Sequence, residues 1–332
     1  MGYSVAVVEL VTETMRLAVS ILNYRTGAMT IAAAQSVLDA LGDGEGRVIV
    51  IDNASGDGSA DEIAAWIAET GDTRVELIRS VTNSGFSGGH NQGLAAAPEA
   101  DFYLILNSDA LLRPGFFAPL LAAAGAMPGA GVFAPQLEGE DGTPQQSCFR
   151  FHGIASEMMR GAQTGPVSRL LRRREVALDL PPDPDQIEWV SFACVLLRGR
   201  MVREIGPMDA GYFLYYEDAE YCLRARRAGW NAVYVPAARA VHLRGGSGPV
   251  KTLAAAKARM PAYYWRSRTR FLRQAVGPHG PLFGNLAWGL GRAIAWLRVL
   301  TGRSVPPSNR AEWRDIWTSF LTPLAPAPET RK

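Results

Sequence analysis

Two adjacent carboxylates, Glu217 and Asp218, directly follow an aromatic run, Tyr212-Phe213-Leu214-Tyr215-Tyr216. A carboxylate in that company can take a proton from a hydroxyl if it is ionised near neutral pH. Aromatic neighbours raise its pKa by desolvation and a helix N-terminus lowers it, so the net sign stays open. The competing role is helix stabilisation, since acidic residues suit the positive end of a helix. Three further stretches carry polar chemistry: Asp52-Asn53-Ala54-Ser55-Gly56-Asp57-Gly58-Ser59, Asn83-Ser84-Gly85-Phe86-Ser87-Gly88-Gly89-His90-Asn91-Gln92-Gly93, and Asn107-Ser108-Asp109. Asp52 can accept hydrogen bonds from a base or ribose, or cap the next helix. Asp57 and Ser59 fit the capping role better, which frees Asp52 for a ligand. The glycines of the second stretch permit close backbone approach to a ligand, or make it a flexible connector. Asp109 can hold a hard divalent cation, with diphosphate oxygens and water completing the shell, or cap a helix near Gly115. His242, followed by Arg244-Gly245-Gly246-Ser247, reads as a diphosphate or metal contact, or as a structural histidine.

These residues need elements to present them. Short apolar runs at 17–23, 47–52, 75–80 and 102–107 read as strands. Helical patterns at 28–41, 59–70 and 90–97 separate them, which predicts a parallel sheet of right-handed βαβ units. In such sheets ligands bind beyond the carboxyl ends of the strands, and each polar stretch follows a strand. Residues 160–184, with Arg172-Arg173-Arg174 and Pro181-Pro182-Asp183-Pro184, read as a mobile surface loop. Residues 189–197 read as one strong strand, 200–205 and 218–228 as helices, 232–235 as a short strand, and the chain from 250 as mostly helical.

In this order, the segments VSILNY (19–24), IVIDNASGDGS (49–59), NSGFSGGHNQG (83–93), LILNSDALLRP (104–114), GPMDAGYFLYYEDAEYCLRARRAGW (206–230) and VHLRGGS (241–247) resemble the family 2 inverting glycosyltransferases, in particular their rhamnosyltransferase-like branch. The resemblance implies a GT-A nucleotide-diphospho-sugar transferase fold: an α/β architecture with a mostly parallel central sheet flanked by helices. It divides the chain into an extension (1–14), a catalytic domain (15–247) and a basic helical C-terminal region (248–332). It implies that Asp52 holds the nucleotide base. Asn23, Asn53, Asn83, Gly85, Phe86, Gly89, Asn91, Asn107 and Ser108 then line the sugar-nucleotide site. Asp109 matches the last aspartate of a metal-binding DxD element whose first position is Asn107 here. That leaves a single carboxylate, with His242 beside it, for Mg2+ or Mn2+. Asp218 matches the catalytic base and Glu217 its neighbour. The implied donor is dTDP-rhamnose, with UDP-sugars open, and the implied acceptor is a lipid-linked or polysaccharide hydroxyl. Asp52, Asp109 and Asp218 are expected to meet at one pocket.

Composition narrows the alternatives. Hydrophobic residues make up 48% of the 332 and charged residues 20%, which excludes global disorder. Three cysteines without a CxxC pair exclude a disulfide scaffold and a zinc site, and suit a reducing cytoplasm. A nicotinamide-dependent oxidoreductase would need a GxGxxG turn after the first strand, where Asn23-Tyr24-Arg25-Thr26-Gly27 stands instead. A non-catalytic sugar-nucleotide or glycan-binding module would not need Glu217-Asp218, and a soluble enzyme acting on a protein acceptor stays open. The net charge of +2 hides a split: residues 1–238 carry −11 and residues 239–332 carry +13. In the basic part, Arg266, Arg268, Arg270 and Arg273 interleave with Tyr263, Tyr264, Trp265 and Phe271. That pattern suits nucleic acid or anionic lipid headgroups, and the family resemblance selects the lipid. Residues 248–332 are therefore expected to face the membrane, holding the protein at its cytoplasmic face, with a homodimer left open.

Overall fold

The structure is a computed structural model that describes residues 15–243 and 250–327. The expected extension at 1–14 and Arg244-Gly245-Gly246-Ser247 lie outside the described residues. The first half alternates strand and helix: β1 (Leu17–Asn23), α1 (Gly27–Leu41), β2 (Arg47–Asp52), α2 (Ser59–Thr70), β3 (Val75–Arg79), α3 (Gly85–Ala96), β4 (Phe102–Asn107). Then follow β5 (Ala110–Leu112), α4 (Phe117–Ala126), β6 (Ala130–Glu138), β7 (Cys148–Phe149), α5 (Ile154–Ala162), α6 (Gly165–Leu170), β8 (Trp189–Val190), β9 (Cys194–Arg198), α7 (Gly199–Ile205), α8 (Glu217–Arg227) and β10 (Asn231–His242). The C-terminal region adds α9 (Val250–Ala255), α10 (Ala262–Ala275), α11 (Gly280–Trp296) and α12 (Glu312–Asp315).

Eight strands form one sheet in the order β3-β2-β1-β4-β9-β6-β10-β5. The β3-β2-β1-β4 half is parallel. β9 runs antiparallel between β4 and β6, and β5 closes the edge antiparallel to β10. Helices cover both faces, so the inner strands are apolar throughout rather than alternating; Val48–Ile51 and Leu104–Leu106 are fully buried. Parallel pairing aligns Asn23 with Asp52 and Leu22 with Asn107, which brings three polar strand ends to one edge.

Four expected elements need correction. The helix of the glycine stretch starts at Gly85, not His90, because contacts described below hold its first turn. Residues 189–197 are two strands. The chain leaves β8 at Ser191, whose N–H donates to the Ser147 carbonyl, and β9 then pairs in the main sheet. Both halves are apolar, so hydrophobicity could not reveal the change of partner. The short strand at 232–235 is the start of the twelve-residue β10, which passes Pro236 at a register shift between Val235 and Arg239; an irregularity is where a strand tolerates proline. Residues 160–184 are not simply a surface loop. Arg160 belongs to α5, and α6 follows.

The C-terminal helices pack on the rest through close backbone contact. A Cβ on Gly161 of α5 would lie 2.2 Å from the Trp288 carbonyl oxygen, and one on Gly291 of α11 would lie 2.3 Å from that of Met158. Beside this contact lies a buried charge network. Arg268 of α10, fully buried, donates to both carboxylate oxygens of Glu157 at 3.0 and 2.7 Å, and to the Asn285 side chain at 2.9 Å. Arg160 pairs with Glu157 and Glu312. Arg270 holds Asp209 through two bonds of 2.8 Å, and Arg259 holds Asp315. This corrects the picture of α10 as a lipid-facing cationic helix: two of its arginines are spent inside the protein. Among the described residues no helix is long and apolar enough to cross a membrane.

Candidate active site

At the strand edge Asn23 is a buried hub. Its amide nitrogen donates to Asp52 Oδ1 at 2.8 Å, Ser59 Oγ at 2.9 Å and Ser55 Oγ at 3.2 Å. Its oxygen accepts from the Thr26 N–H and from the hydroxyls of Thr26 and Thr30. The Thr26 hydroxyl can in turn accept from Ser108 Oγ, 3.0 Å away. The network sets the turns after β1, β2 and β4 relative to one another. Asp57 accepts from the Ser59 N–H at 3.0 Å in the turn before α2, whose cap position is Gly58. Asp52 is not thereby left free, however: Asn23 holds one oxygen and the Ser55 N–H approaches the other at 3.3 Å, with Asp52 5% exposed.

The asparagines of the glycine stretch hold the backbone. Asn53 donates to Asn83 Oδ1 and to the Gly85 carbonyl, both at 3.0 Å, and accepts from the Ser84 N–H at 3.1 Å. Asn83 Oδ1 also accepts from the Gly85 N–H. Asn91 exchanges two bonds with the Met208 backbone, at 2.8 and 2.9 Å, as a strand neighbour would. Gly89 serves packing, since a Cβ there would lie 2.3 Å from Leu22. Gly85 has φ +72°, and its Cβ would lie 2.2 Å from the Phe213 carbonyl oxygen, which accepts from the Phe86 N–H at 2.7 Å. The segment that leads to the carboxylate pair is thus clamped onto the start of α3. A cavity of about 390 Å3 beside it is lined by Asn83, Ser84, Asp209, Phe213, Arg270 and Pro326. Of the expected site residues, only Asn83 lines it.

Asp109 and His242, far apart in the chain, meet because β5 pairs with the end of β10, Ala110 opposite His242. His242 Nε2 lies 3.6 Å from Asp109 Oδ1, and the two residues are 9% and 1% exposed. The Asp109 carbonyl accepts from the Leu243 N–H. Among the described residues no three His, Cys, Asp or Glu gather as a metal cage. The donor set here is one carboxylate and one imidazole, with Asn107 and Ser108 just before them in the chain. That set fits a divalent ion whose other ligands come from a phosphate-bearing substrate and water.

Glu217 and Asp218 open α8. Before them Tyr215 and Tyr216 both adopt left-handed backbone, φ +71° and +69°, a conformation that costs a non-glycine residue about 1–3 kcal/mol and clusters at working sites. Tyr216 is held by His152, Tyr264 and Phe271, at ring separations of 4.8, 5.8 and 5.7 Å. These aromatic supports were not read from the sequence, and no local pattern links them. Glu217 is 5% exposed, and its Oε2 has no hydrogen-bond partner among the described residues. Asp218 keeps part of its surface open, and one oxygen accepts from the Ala219 N–H at 2.8 Å. Burial raises both pKa values, that of Glu217 well above its usual range with the Asp218 charge adding to it, and that of Asp218 to about 7. The question left open by sequence is answered: desolvation outweighs the helix end. The pair as a whole therefore holds its protons to higher pH than ordinary carboxylates do, and Asp218 is its more accessible member.

The comparisons with known proteins bear on the family and the fold. Residues 19–164 match the family model described as Glycosyl transferase family 2. The N-acetylglucosaminyl-diphospho-decaprenol L-rhamnosyltransferase of Mycobacterium tuberculosis (strain CDC 1551 / Oshkosh) is 27% identical over 226 residues, covering 63% of this chain and 71% of that protein. Among solved structures, mannosyltransferase PcManGT from Pyrobaculum calidifontis, in complex with GDP-Man and Mn2+, superposes with a TM-score of 0.55 at 14% identity, covering 95% of this chain and 86% of that one. Staphylococcus aureus TarS 1–349 in complex with UDP gives 0.51 at 14% identity, covering 82% and 70%. The expected GT-A-like fold is the one observed.

Proposed function

For a glycosyltransferase that carries a family 2 domain over residues 19–164, we propose transfer of a sugar, with inversion, from a dTDP- or UDP-linked donor to a hydroxyl of a lipid-linked acceptor. The non-catalytic binding module falls away with the enzyme class. The relative of M. tuberculosis, named for rhamnosyl transfer to a diphospho-decaprenol acceptor, favours rhamnose and a lipid. The observation that carries the reading is the contact of Gly85 with the Phe213 carbonyl. It ties the start of α3, with the Asn53 and Asn83 turns, to the segment that leads to Asp218; in this reading both sides serve one cleft.

In this reading the nucleotide lies over the ends of β1 and β2, with the outer face of Asp52 toward the base. Asn23, Asn53, Asn83 and Asn91 shape that surface rather than supply most of its contacts, since their amides hold the protein's own turns. Asp109 and His242 would hold Mg2+ or Mn2+, which when bound neutralises charge on the leaving diphosphate. Asp218 takes the proton of the acceptor hydroxyl. The acceptor oxygen bonds to the anomeric carbon as the bond from that carbon to the diphosphate oxygen breaks, and the nucleoside diphosphate leaves with the electron pair. Burial and the neighbouring Asp218 charge both oppose ionisation of Glu217, which disfavours a second negative charge in the cleft. The tyrosines at 212, 215 and 216 exclude water from the reacting hydroxyl. The basic C-terminal region borders the acceptor side and, in this reading, lies toward the membrane.

A thermal-shift panel of dTDP- and UDP-sugars with Mn2+ tests the donor. A ligand at a hundredfold its Kd adds about 2.7 kcal/mol of stability. The true donor is expected to raise Tm more with Mn2+ than without, and Asp109→Ala is expected to abolish that difference. Equal shifts in wild type and variant would remove Asp109 from the metal site.

The pH dependence has a definite sign. Asp218 is a base only when ionised, so kcat is expected to fall as pH drops through about 7, as a macroscopic titration of the pair. An acid limb in the ordinary aspartate range would contradict the buried-pair picture.

A further inference from the structure

The arginines of α10 have different fates. Arg268 is committed to Glu157 and Arg270 to Asp209. The Arg266 side chain makes no hydrogen bond or ion pair with a described residue, yet its Nε is buried. A charged donor in that state is costly unless an acceptor arrives from outside the chain. Tyr263, Arg266, Ser267 and Arg270 stand at steps of three, four and seven, on one face of the helix. That face lines a cavity of about 230 Å3, which Gly211, Phe213, Thr322 and Pro326 also line. No described residue lining it is a carboxylate. Asp209 neutralises Arg270, so Arg266 gives the cavity a net positive charge. The cavity shares Gly211, Phe213, Arg270 and Pro326 with the one of about 390 Å3 beside Asn83 and Ser84.

We propose that this recess is an anion subsite, in which Arg266 holds a phosphate group of the acceptor. A guanidinium offers paired donors that match phosphate oxygens. Ser319 and Thr322, which line the same cavity, carry hydroxyls that can donate to further oxygens. At about 230 Å3 the cavity is smaller than sites that enclose a whole ligand, roughly 300–1,000 Å3. That size suits the charged group of a longer molecule. The recess lies along the segment that leads to the carboxylate pair. Phe213 lies five residues before Asp218, so at most about 18 Å of chain separates them. Tyr263 lies 5.6 Å from the Phe213 ring and stacks on Tyr215 at 6.4 Å, and Ser267 donates to the Leu214 carbonyl at 3.1 Å. None of Asn23, Asp52, Asp109 and His242 lines either cavity. The donor's diphosphate is assigned above to Asp109 and His242, so the recess falls to the other substrate. The inference rests on the lipid-linked acceptor reading and adds what the protein recognises in that acceptor: the phosphate that joins sugar to lipid. Held at Arg266, that phosphate tethers the acceptor sugar near Asp218.

The test is isothermal titration calorimetry of the full chain, without divalent cations, with three probes: inorganic diphosphate, farnesyl diphosphate and farnesol. Wild type is expected to bind both diphosphates and not farnesol. Arg266→Gln is expected to weaken both by at least about tenfold. Arg266→Lys, which keeps the charge but not the fork, is expected to restore part of that loss. The Tm shift given by nucleotide-sugar with Mn2+ is expected to be equal in Arg266→Gln and wild type, which also shows that the variant folds. A wild type that binds donor but neither diphosphate probe overturns the subsite and leaves the transferase reading standing. So does unchanged diphosphate affinity in Arg266→Gln. Loss of donor affinity together with diphosphate affinity overturns the acceptor assignment, since the recess would then hold the donor's phosphates. Farnesol binding as tight as that of farnesyl diphosphate overturns it too, since the recess would then be an apolar groove. An Arg266-dependent diphosphate site in an enzyme that transfers sugar only to phosphate-free acceptors would instead defeat the lipid-linked reading and support the anion site.

Discussion

Asp218→Asn is expected to lower kcat by about a hundred- to ten-thousandfold, the span general-base catalysis commonly supplies, while nucleotide-sugar affinity changes little. The isostere keeps the bond from the Ala219 N–H and the opening of α8, but cannot accept the acceptor proton. The fold should not suffer. A carboxylate whose pKa is raised on folding binds more protons in the native state than in the unfolded chain between its ordinary value and about 7. Stability therefore falls as pH rises through that window. Removing the ionisable group removes that loss, so the variant is expected to be as stable as wild type or more so above neutral pH, the usual trade between activity and stability. Steady-state kinetics together with urea denaturation read both quantities. Retained turnover in a folded Asp218→Asn variant would refute the base assignment.

Arg268→Met carries the largest expected effect on stability. It leaves Glu157 buried with Arg160 as its remaining cation. Loss of one partner from a buried pair costs about 3–5 kcal/mol, which urea unfolding at neutral pH would detect. Replacing Glu157 and Arg268 together by methionine is expected to recover most of that loss, because the desolvation cost leaves with the charge. Burial alone would raise the Glu157 pKa; Arg160 and Arg268 overcome it and hold the carboxyl down at about 2. A depressed carboxylate stabilises above its unfolded pKa and loses that contribution as pH falls through its folded one. The acid-unfolding difference between wild type and the double variant should therefore appear between about pH 4.5 and pH 2. Additive losses in the two single variants, with no recovery in the double, would show that the network acts through packing alone.

The parallel half of the sheet was legible because each strand is one unbroken apolar run between helical patterns. The order of the motifs then placed the polar turns and the carboxylate pair. What stayed hidden was hidden for physical reasons. Gly85, Gly88 and Gly89 depress helix propensity, so the start of α3 reads as a loop and the helix only from His90, yet the side chains of Asn53 and Asn83 and the Phe213 carbonyl hold its first turn in place. An asparagine that binds a ligand and one that stands in for a backbone partner look alike in a sequence, which is why Asn53 and Asn91 were read as ligand contacts. The fate of the arginines in α10 was also beyond reach, because Arg268 and Glu157 are 111 residues apart and no local rule connects them. The sign of the Asp218 shift needed the burial itself.

The place of β10 in the sheet has a consequence for biogenesis. His242 closes on Asp109 only when the last strand docks between β6 and β5, after every other strand has been synthesised. Long-range pairings of this kind form slowly because they carry the cost of closing a large loop. On the function proposed above, metal-dependent donor capture is therefore among the last properties a nascent chain acquires.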